Sequence, residues 1–130
     1  YEYERGTKVY TGRPTTWQGK IALAYPSDYG YAADFSKCSQ TSYDYNISEC
    51  KSNNWMKSII TNDGASDGWL LTPYSGNSYY AWHVSSYGYV DIDGYGAYRA
   101  DGVAPVLYLN SELDIKAGTG SSSDPYQLSA

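Results

Sequence analysis

Apolar residues occur along this chain in short runs of strand length, separated by turn-forming residues. The run at 20–25, KIALAY, ends at Pro26, and the run at 68–73, GWLLTP, also ends in proline. Two further segments, YAWHV at 80–84 and YVDI at 89–92, flank SSYG. Apolar segments on either side of a short turn that contains glycine are typical of a β-hairpin. The pattern therefore predicts several short strands, with one hairpin in the middle of the chain.

Helix-forming segments are few and short. The best candidate is SNNWMKSII at 52–60, with Ser52 as its N-cap. By helical spacing, the predicted inward face of this helix consists of Trp55, Ile59 and Ile60. A shorter helical turn is predicted after Ser27, which can serve as its cap. We therefore expect one or two short helices.

The C-terminal part of the chain also predicts strands. The segment GVAPVLYL at 102–109 is a nearly continuous apolar run, as expected for a central strand covered on both faces. Pro105 lacks a backbone donor, so a bulge or a sheet edge must occur there. LDIKAGTGSSSDPYQL at 113–128 contains two strand segments around a Gly/Ser turn. We expect residues 1–130 to form one α+β domain with a mixed or antiparallel twisted sheet and long loops.

The charge balance argues against two classes of partner. The chain has 130 residues, with 9 Lys and Arg against 14 Asp and Glu, and a net charge of −5. Its basic residues are scattered singly, whereas binding to a phosphate backbone or to an anionic membrane surface requires a cluster of them. No apolar run approaches the roughly 20 residues of a membrane helix. We therefore expect neither nucleic-acid binding nor membrane contact by this segment.

Two cysteines, Cys38 and Cys50, lie in a polar region of the sequence. They form no CxxC motif and have no histidine nearby, so they suit a zinc site poorly. A disulfide that closes such a loop stabilises a fold by roughly 3 kcal/mol and places folding outside the reducing cytosol. Free buried thiols and a redox role are the alternatives, and we expect the disulfide.

Five blocks of the sequence together carry a family resemblance. In chain order they are TTWQGKIALAYPSDYGYA, NNWMKSI, GWLLTP, AWHVSSYGYV and GVAPVLYLNSELDIKAGTGSSSDPYQL, with the cysteines between the first two. They resemble the extracellular domains of type IV pilin-like and pseudopilin-like proteins of Gram-positive bacteria, and the resemblance covers nearly the whole chain. The core formed by WLLTP, AWHV and GVAPVLYL is similar to C-type-lectin-like domains.

This resemblance implies a C-type-lectin-like fold and a secreted or surface-displayed binding domain. An N-terminal helix outside this sequence would hold the domain on a pilus or on the cell envelope, and the lack of an initial Met indicates a removed leader or an excised domain. One position departs from the family pattern, because relatives carry Arg where Ala104 precedes Pro105. If that Arg pairs with a buried acid in relatives, this chain must compensate elsewhere or lack the acid as well.

Tyrosine is unusually abundant, with 17 residues against a single Phe. Aromatic rings within apolar blocks are predicted to pack in the core; these are Trp17, Trp55, Trp69 and Tyr108. The tyrosines of the stretch 78–102 are instead interleaved with Gly, Ser and Asp, a mixture typical of surfaces that use tyrosine for contact area. The predicted ligand contacts are Tyr79, Tyr80, Tyr87, Tyr89, Tyr95 and Tyr98. Ordinary packing of these rings on a sheet is the alternative.

The single histidine, His83, lies between Trp82 and Val84. Side chains alternate between the two faces of a strand, so if these neighbours face the core, His83 points outward, close to the tyrosines. A hydrolytic triad needs a histidine beside a nucleophile and an orienting acid, and no serine here has the glycines of a nucleophile elbow. The segment GTGSSSDP lacks the lysine of a phosphate loop. We therefore expect a ligand-contacting histidine and no enzyme.

Charged residues of the same stretch are predicted to act as polar contacts. They are Asp91, Asp93 and Arg99. Asp91 and Asp93, with Asp101, also supply the oxygen atoms that Ca²⁺ prefers, but the spacing of an EF-hand is not met, and no metal or other cofactor is predicted. A glycosidase-type pair among these acids and Glu112 is an alternative that spacing alone does not remove.

Taken together, these features predict an extracellular, disulfide-bonded binding or adhesion module. It would recognise a glycan or protein ligand on a cell surface through residues 79–98. One alternative is structural: the domain decorates a pilus subunit, and its tyrosines pack subunits together. Another follows from a second resemblance, to the variable proteins of diversity-generating retroelements, which share the C-type-lectin-like fold and display variable positions rich in Tyr, Ser, Asn and Asp.

Overall fold

The helices and strands of this protein are short and are joined by long connections. A computed structural model describes residues 18–38, 47–74, 76–92, 96–109, 112–121 and 123–129. In chain order its elements are β1 (Ala22–Leu23), α1 (Pro26–Tyr31), α2 (Ser48–Ser52), α3 (Trp55–Ile60), β2 (Gly68–Pro73), β3 (Ala81–Val84), β4 (Val90–Asp91), β5 (Pro105–Val106), β6 (Ile115–Ala117) and β7 (Gln127–Leu128). The predicted α+β class is confirmed.

Within the described residues, the strands form three antiparallel sheets. One pairs β1 with β5, one has the order β2-β3-β4, and one pairs β6 with β7. In the three-stranded sheet, Val84 lies opposite Val90, and Gly68 of β2 lies opposite Val84. Both the strand at 68–73 and the hairpin formed by β3 and β4 are therefore confirmed, as are the two strand segments of the C-terminal stretch, which pair with each other.

The core lies between the helices and the three-stranded sheet. Its largest fully buried side chain is Tyr29 of α1, and Val84 in the middle strand is also fully buried. The other buried members of this cluster are Ala24, Ala32, Met56, Ile60, Leu70 and Val90. Burying apolar surface of this kind contributes roughly 25 cal/mol per Å², so the cluster stabilises the fold that positions the surfaces described below.

The predicted helix at 52–60 is divided into two helices. Ser52 ends α2 rather than capping a helix, and α3 begins after Asn54, whose side-chain oxygen accepts a 3.0 Å hydrogen bond from the backbone N–H of Met56. The inward face of α3 consists of Met56 and Ile60, whereas Trp55 and Ile59 are 66% and 60% exposed. The predicted inward face was therefore correct for Ile60 and wrong for Trp55 and Ile59.

The apolar run at 102–109 does not form a central strand. Only Pro105 and Val106 are in β5, which pairs with β1 alone, while Tyr108 is 79% exposed. Pro105 cannot donate a ladder hydrogen bond. The predicted sheet edge at Pro105 is therefore correct, and the predicted central position of the strand is wrong. Ala104, which precedes Pro105, is half-buried and packs against the core cluster.

The predicted disulfide joins Cys38 and Cys50, whose Cα atoms are 5.0 Å apart. Both cysteines are buried, and they form a second small cluster with Ala33 and with the half-buried Ile47. The bridge attaches α2 to the segment that follows α1. Within the described ranges, no helix is both long and apolar enough to cross a membrane.

Candidate binding surfaces

Six of the predicted contact residues lie at the two ends of β3. At its N-terminal end are Tyr79, Tyr80, Tyr98 and Arg99, which we call the tyrosine platform. At its C-terminal end is the hairpin turn, residues 85–89, which carries Tyr87 and Tyr89. Since β3 has four residues, about 13 Å of extended chain separates the two groups. The structure therefore divides the single predicted surface into two.

The platform is built from two chain segments that pair with each other. Tyr80 forms an antiparallel bridge with Gly96, and the backbone N–H of Ala97 donates a 2.8 Å hydrogen bond to the carbonyl of Tyr79. Tyr79 and Tyr98 are 72% and 86% exposed, and Tyr80 is half-buried. Backbone pairing thus holds two highly exposed rings on neighbouring segments.

Gly96 makes room for one of these rings. The aromatic ring of Tyr98 occupies the space that a Cβ atom on Gly96 would need. Arg99 follows directly, and its backbone N–H donates a 3.1 Å hydrogen bond to the carbonyl of Gly96. Its guanidinium lies 3.6 Å from the carboxylate of Asp101, whose side chain is only 6% exposed, so a buried carboxylate holds this half-exposed cation.

The hairpin turn is attached to the helices. The buried hydroxyl of Tyr29 donates a 3.0 Å hydrogen bond to the carbonyl of Gly88, and burial raises the pKa of Tyr29 above its ordinary range. Gly88 adopts a φ of 89°, a conformation that favours glycine. The ammonium group of Lys51 lies 3.5 Å from the ring centroid of Tyr89, a cation–π contact, whereas Tyr87 is 74% exposed.

His83 does not point outward as predicted. Its side chain is completely buried, and its ring meets that of Trp69 edge to face with centroids 6.1 Å apart. Burial lowers the pKa of His83, and the nearby carboxylates of Asp67, Asp91 and Asp101 oppose that effect. The prediction assumed that one face of β3 is solvated. Both faces of this middle strand are covered, because Trp82, on the face opposite His83, is also half-buried. A ligand on the surface does not reach His83.

The predicted acidic contacts are only partly described. Asp91 is half-buried, and its carboxylate accepts a 2.6 Å hydrogen bond from the backbone N–H of Ile92. Asp93, Tyr95 and Trp17 lie outside the described residues. Among the residues that the structure describes, no group of three or more His, Cys, Asp or Glu side chains could hold a metal ion.

A surface that the sequence did not predict lies between α1, α3 and β5. It is an open groove of about 330 Å³, which we call the aromatic groove, lined by Tyr31, Trp55 and Tyr108 together with Asp28. The remaining lining residues are small or apolar and include Ala32, Met56 and Leu107. Trp55 and Tyr108 were predicted to pack in the core and are instead 66% and 79% exposed, so that prediction was wrong for both rings.

Comparison of the chain with protein-family models, with curated proteins and with solved structures found no match in any of the three. The C-type-lectin-like fold and the pilin-like resemblance therefore remain expectations. What the protein does has to be inferred from the two groups of tyrosines, the disulfide and the aromatic groove.

Proposed function

We propose that this protein is an extracellular recognition module that binds a ligand on a cell surface through its tyrosine platform. One observation carries the proposal: Tyr79 and Tyr98, both more than 70% exposed, are held on paired backbone segments. Substitutions of exposed side chains usually change stability little, and a large contact area is the property that these exposed rings do offer.

Tyrosine is well suited to such a contact. It supplies a large and rigid surface with a hydroxyl at its end, and ordering it on binding costs little conformational entropy because it has only two side-chain torsions. Backbone pairing between Tyr80 and Gly96 further reduces the ordering that binding requires. Arg99, which follows Tyr98 in the chain, adds a cation, and Tyr and Arg are enriched among the residues that dominate protein–protein binding energies.

Two further features agree with a site outside the cell. The buried disulfide between Cys38 and Cys50 persists in an oxidising compartment. The α+β arrangement with antiparallel sheets and long connections is compatible with the C-type-lectin-like fold that the sequence resemblance implies. We therefore place the module on a cell surface or a pilus, with a protein ligand favoured over a glycan by the Tyr and Arg composition of the platform.

The test compares the protein with a double variant, Tyr79→Ala with Tyr98→Ala, on a glycan array and on a panel of cell surfaces. A matched control is Tyr126→Ala, which removes a ring that is 55% exposed and lies next to β7 in another sheet. We expect saturable binding that the double variant weakens by at least tenfold and the control leaves unchanged. Equal binding by the double variant would show that the platform is not the ligand-binding surface.

A second variant separates ring position from ring chemistry. Gly96→Ala keeps both tyrosines but places a methyl group where the ring of Tyr98 lies. We expect it to weaken binding while Tyr79 remains available. If the platform variants leave binding intact but abolish assembly into a pilus, the tyrosines serve subunit packing, and the recognition proposal fails.

A further inference from the structure

The aromatic groove is built from elements other than those that carry the platform. Its volume of about 330 Å³ lies within the range of small-molecule sites, roughly 300 to 1,000 Å³. Three large aromatic residues line it, and Tyr31, Trp55 and Tyr108 are each more than 60% exposed. These rings add little to the core, yet three separate elements bring them to one concavity.

The charge of the groove is negative. Among the described residues that line it, Asp28 is the one charged residue, and the others are aromatic or apolar. One carboxylate oxygen of Asp28 accepts a 2.8 Å hydrogen bond from the backbone N–H of Tyr25, which fixes this side chain at the start of α1. The carboxylate is therefore held in place before any ligand arrives.

This combination selects one class of ligand. Aromatic rings attract cations through the negative potential of their faces, with Trp the strongest. An anion would be repelled by Asp28, and a neutral apolar ligand would cover a carboxylate without pairing it, which is costly. A saccharide needs several polar partners, and most of this lining cannot form hydrogen bonds.

We infer that the aromatic groove binds a small organic cation, an ammonium or guanidinium group that Asp28 pairs with and that the rings of Trp55, Tyr31 and Tyr108 contact. Two sources offer this chemistry: a quaternary ammonium headgroup and a basic side chain of a peptide. The inference does not depend on the tyrosine platform, because the two surfaces share no residue.

Isothermal titration calorimetry with choline tests the inference, with 3,3-dimethyl-1-butanol as a neutral molecule of the same shape. We expect choline to bind saturably with a Kd on the order of 1 mM and the neutral molecule to bind at least tenfold more weakly. A second arm uses arginine amide, and the tighter of the two cations identifies the source. Equal affinity for the neutral molecule, tighter binding of glucose, or no saturable binding of either cation would overturn the inference.

Three variants place the binding in the groove. Asp28→Asn removes the charge but keeps an oxygen for the backbone N–H of Tyr25, and we expect it to weaken choline binding about tenfold without affecting the neutral molecule. Trp55→Leu should weaken choline binding by a similar factor. Tyr87→Leu removes an exposed ring outside the groove and serves as the control. Choline binding that Asp28→Asn and Trp55→Leu leave unchanged would overturn the inference, whatever the platform variants do.

Discussion

At one end of β3 the hairpin turn contacts two helices. At the other end, the two segments of the tyrosine platform are joined by backbone hydrogen bonds. The turn receives a hydrogen bond from Tyr29 of the core and a cation–π contact from Lys51 of α2. The platform presents Tyr79 and Tyr98 almost fully to solvent. The same residue type therefore serves stability at one end of a strand and remains available for contact at the other.

Substitutions that affect the hairpin turn should lower the free energy of unfolding more than substitutions at the platform. Tyr29→Phe keeps the buried ring but removes the hydroxyl, which leaves the carbonyl of Gly88 without that donor. Loss of one partner of a buried hydrogen bond costs about 1–3 kcal/mol, so we expect the free energy of unfolding to fall by about 2 kcal/mol. Urea denaturation measures this value. Tyr87→Phe, which removes an exposed hydroxyl from the same turn, should change it little, and equal losses would show that the Tyr29 hydroxyl does not hold the turn.

The stability of the fold should depend on pH through His83, in the middle of β3. Burial lowers the pKa of His83 in the folded state, against the opposing charges of Asp67, Asp91 and Asp101 and with a smaller lowering effect of Arg99. Above about pH 6.5 the histidine is neutral in both states, and its effect on stability is constant. Below that value the unfolded chain binds a proton that the folded chain resists. Stability should then fall by up to about 1.4 kcal/mol per pH unit until the folded-state pKa is reached.

Urea denaturation between about pH 8 and pH 5 checks this expectation. The control is His83→Gln, which has no titrating group at the position, and its stability should be less dependent on pH over this interval. The difference between the two pH profiles isolates the contribution of His83 from that of the surface carboxylates. Parallel profiles would mean that His83 has the same pKa in the folded and unfolded chains.

Local signals predicted part of this fold well. The strand at 68–73 was identified residue for residue from two local features, a short apolar run and the proline at its end. The hairpin was identified for the same reason, since its two strands and its turn are adjacent in sequence. The disulfide depended on only two cysteines, which leave a single intramolecular pairing.

Features that depend on tertiary contacts were predicted wrongly from the sequence. Helix α3 has two possible inward faces with residues four apart, Trp55 with Ile59 and Met56 with Ile60, and helical spacing alone does not choose between them. Packing against the core selected the second, which exposes Trp55 to the aromatic groove. His83 was placed outside because the alternation along β3 does not reveal that both faces of this strand are covered.

The candidate surface was predicted in composition but not in arrangement. Exposure of Tyr79, Tyr87 and Tyr98 agrees with the mixture of Gly, Ser and Asp around them. The placement of Tyr98 at the same end of β3 as Tyr79 depends on the bridge from Tyr80 to Gly96, and nothing in the residues between these positions specifies that pairing. The groove was missed because its lining comes from three elements that are distant in sequence.

The smallest change in stability is expected for substitutions at the platform. Measuring it separates a loss of ligand binding from a loss of folding. Surface substitutions away from buried contacts usually change stability by no more than about 0.5 kcal/mol, so Tyr79→Ala combined with Tyr98→Ala should leave the urea midpoint almost unchanged. The Tyr29→Phe variant, measured in the same experiment, provides the scale of a structural tyrosine. If the double variant lost as much stability as Tyr29→Phe, its rings would hold the sheet together, and lost ligand binding could no longer be assigned to a contact surface. If stability is retained while binding is lost, the two ends of β3 differ in function as well as in packing.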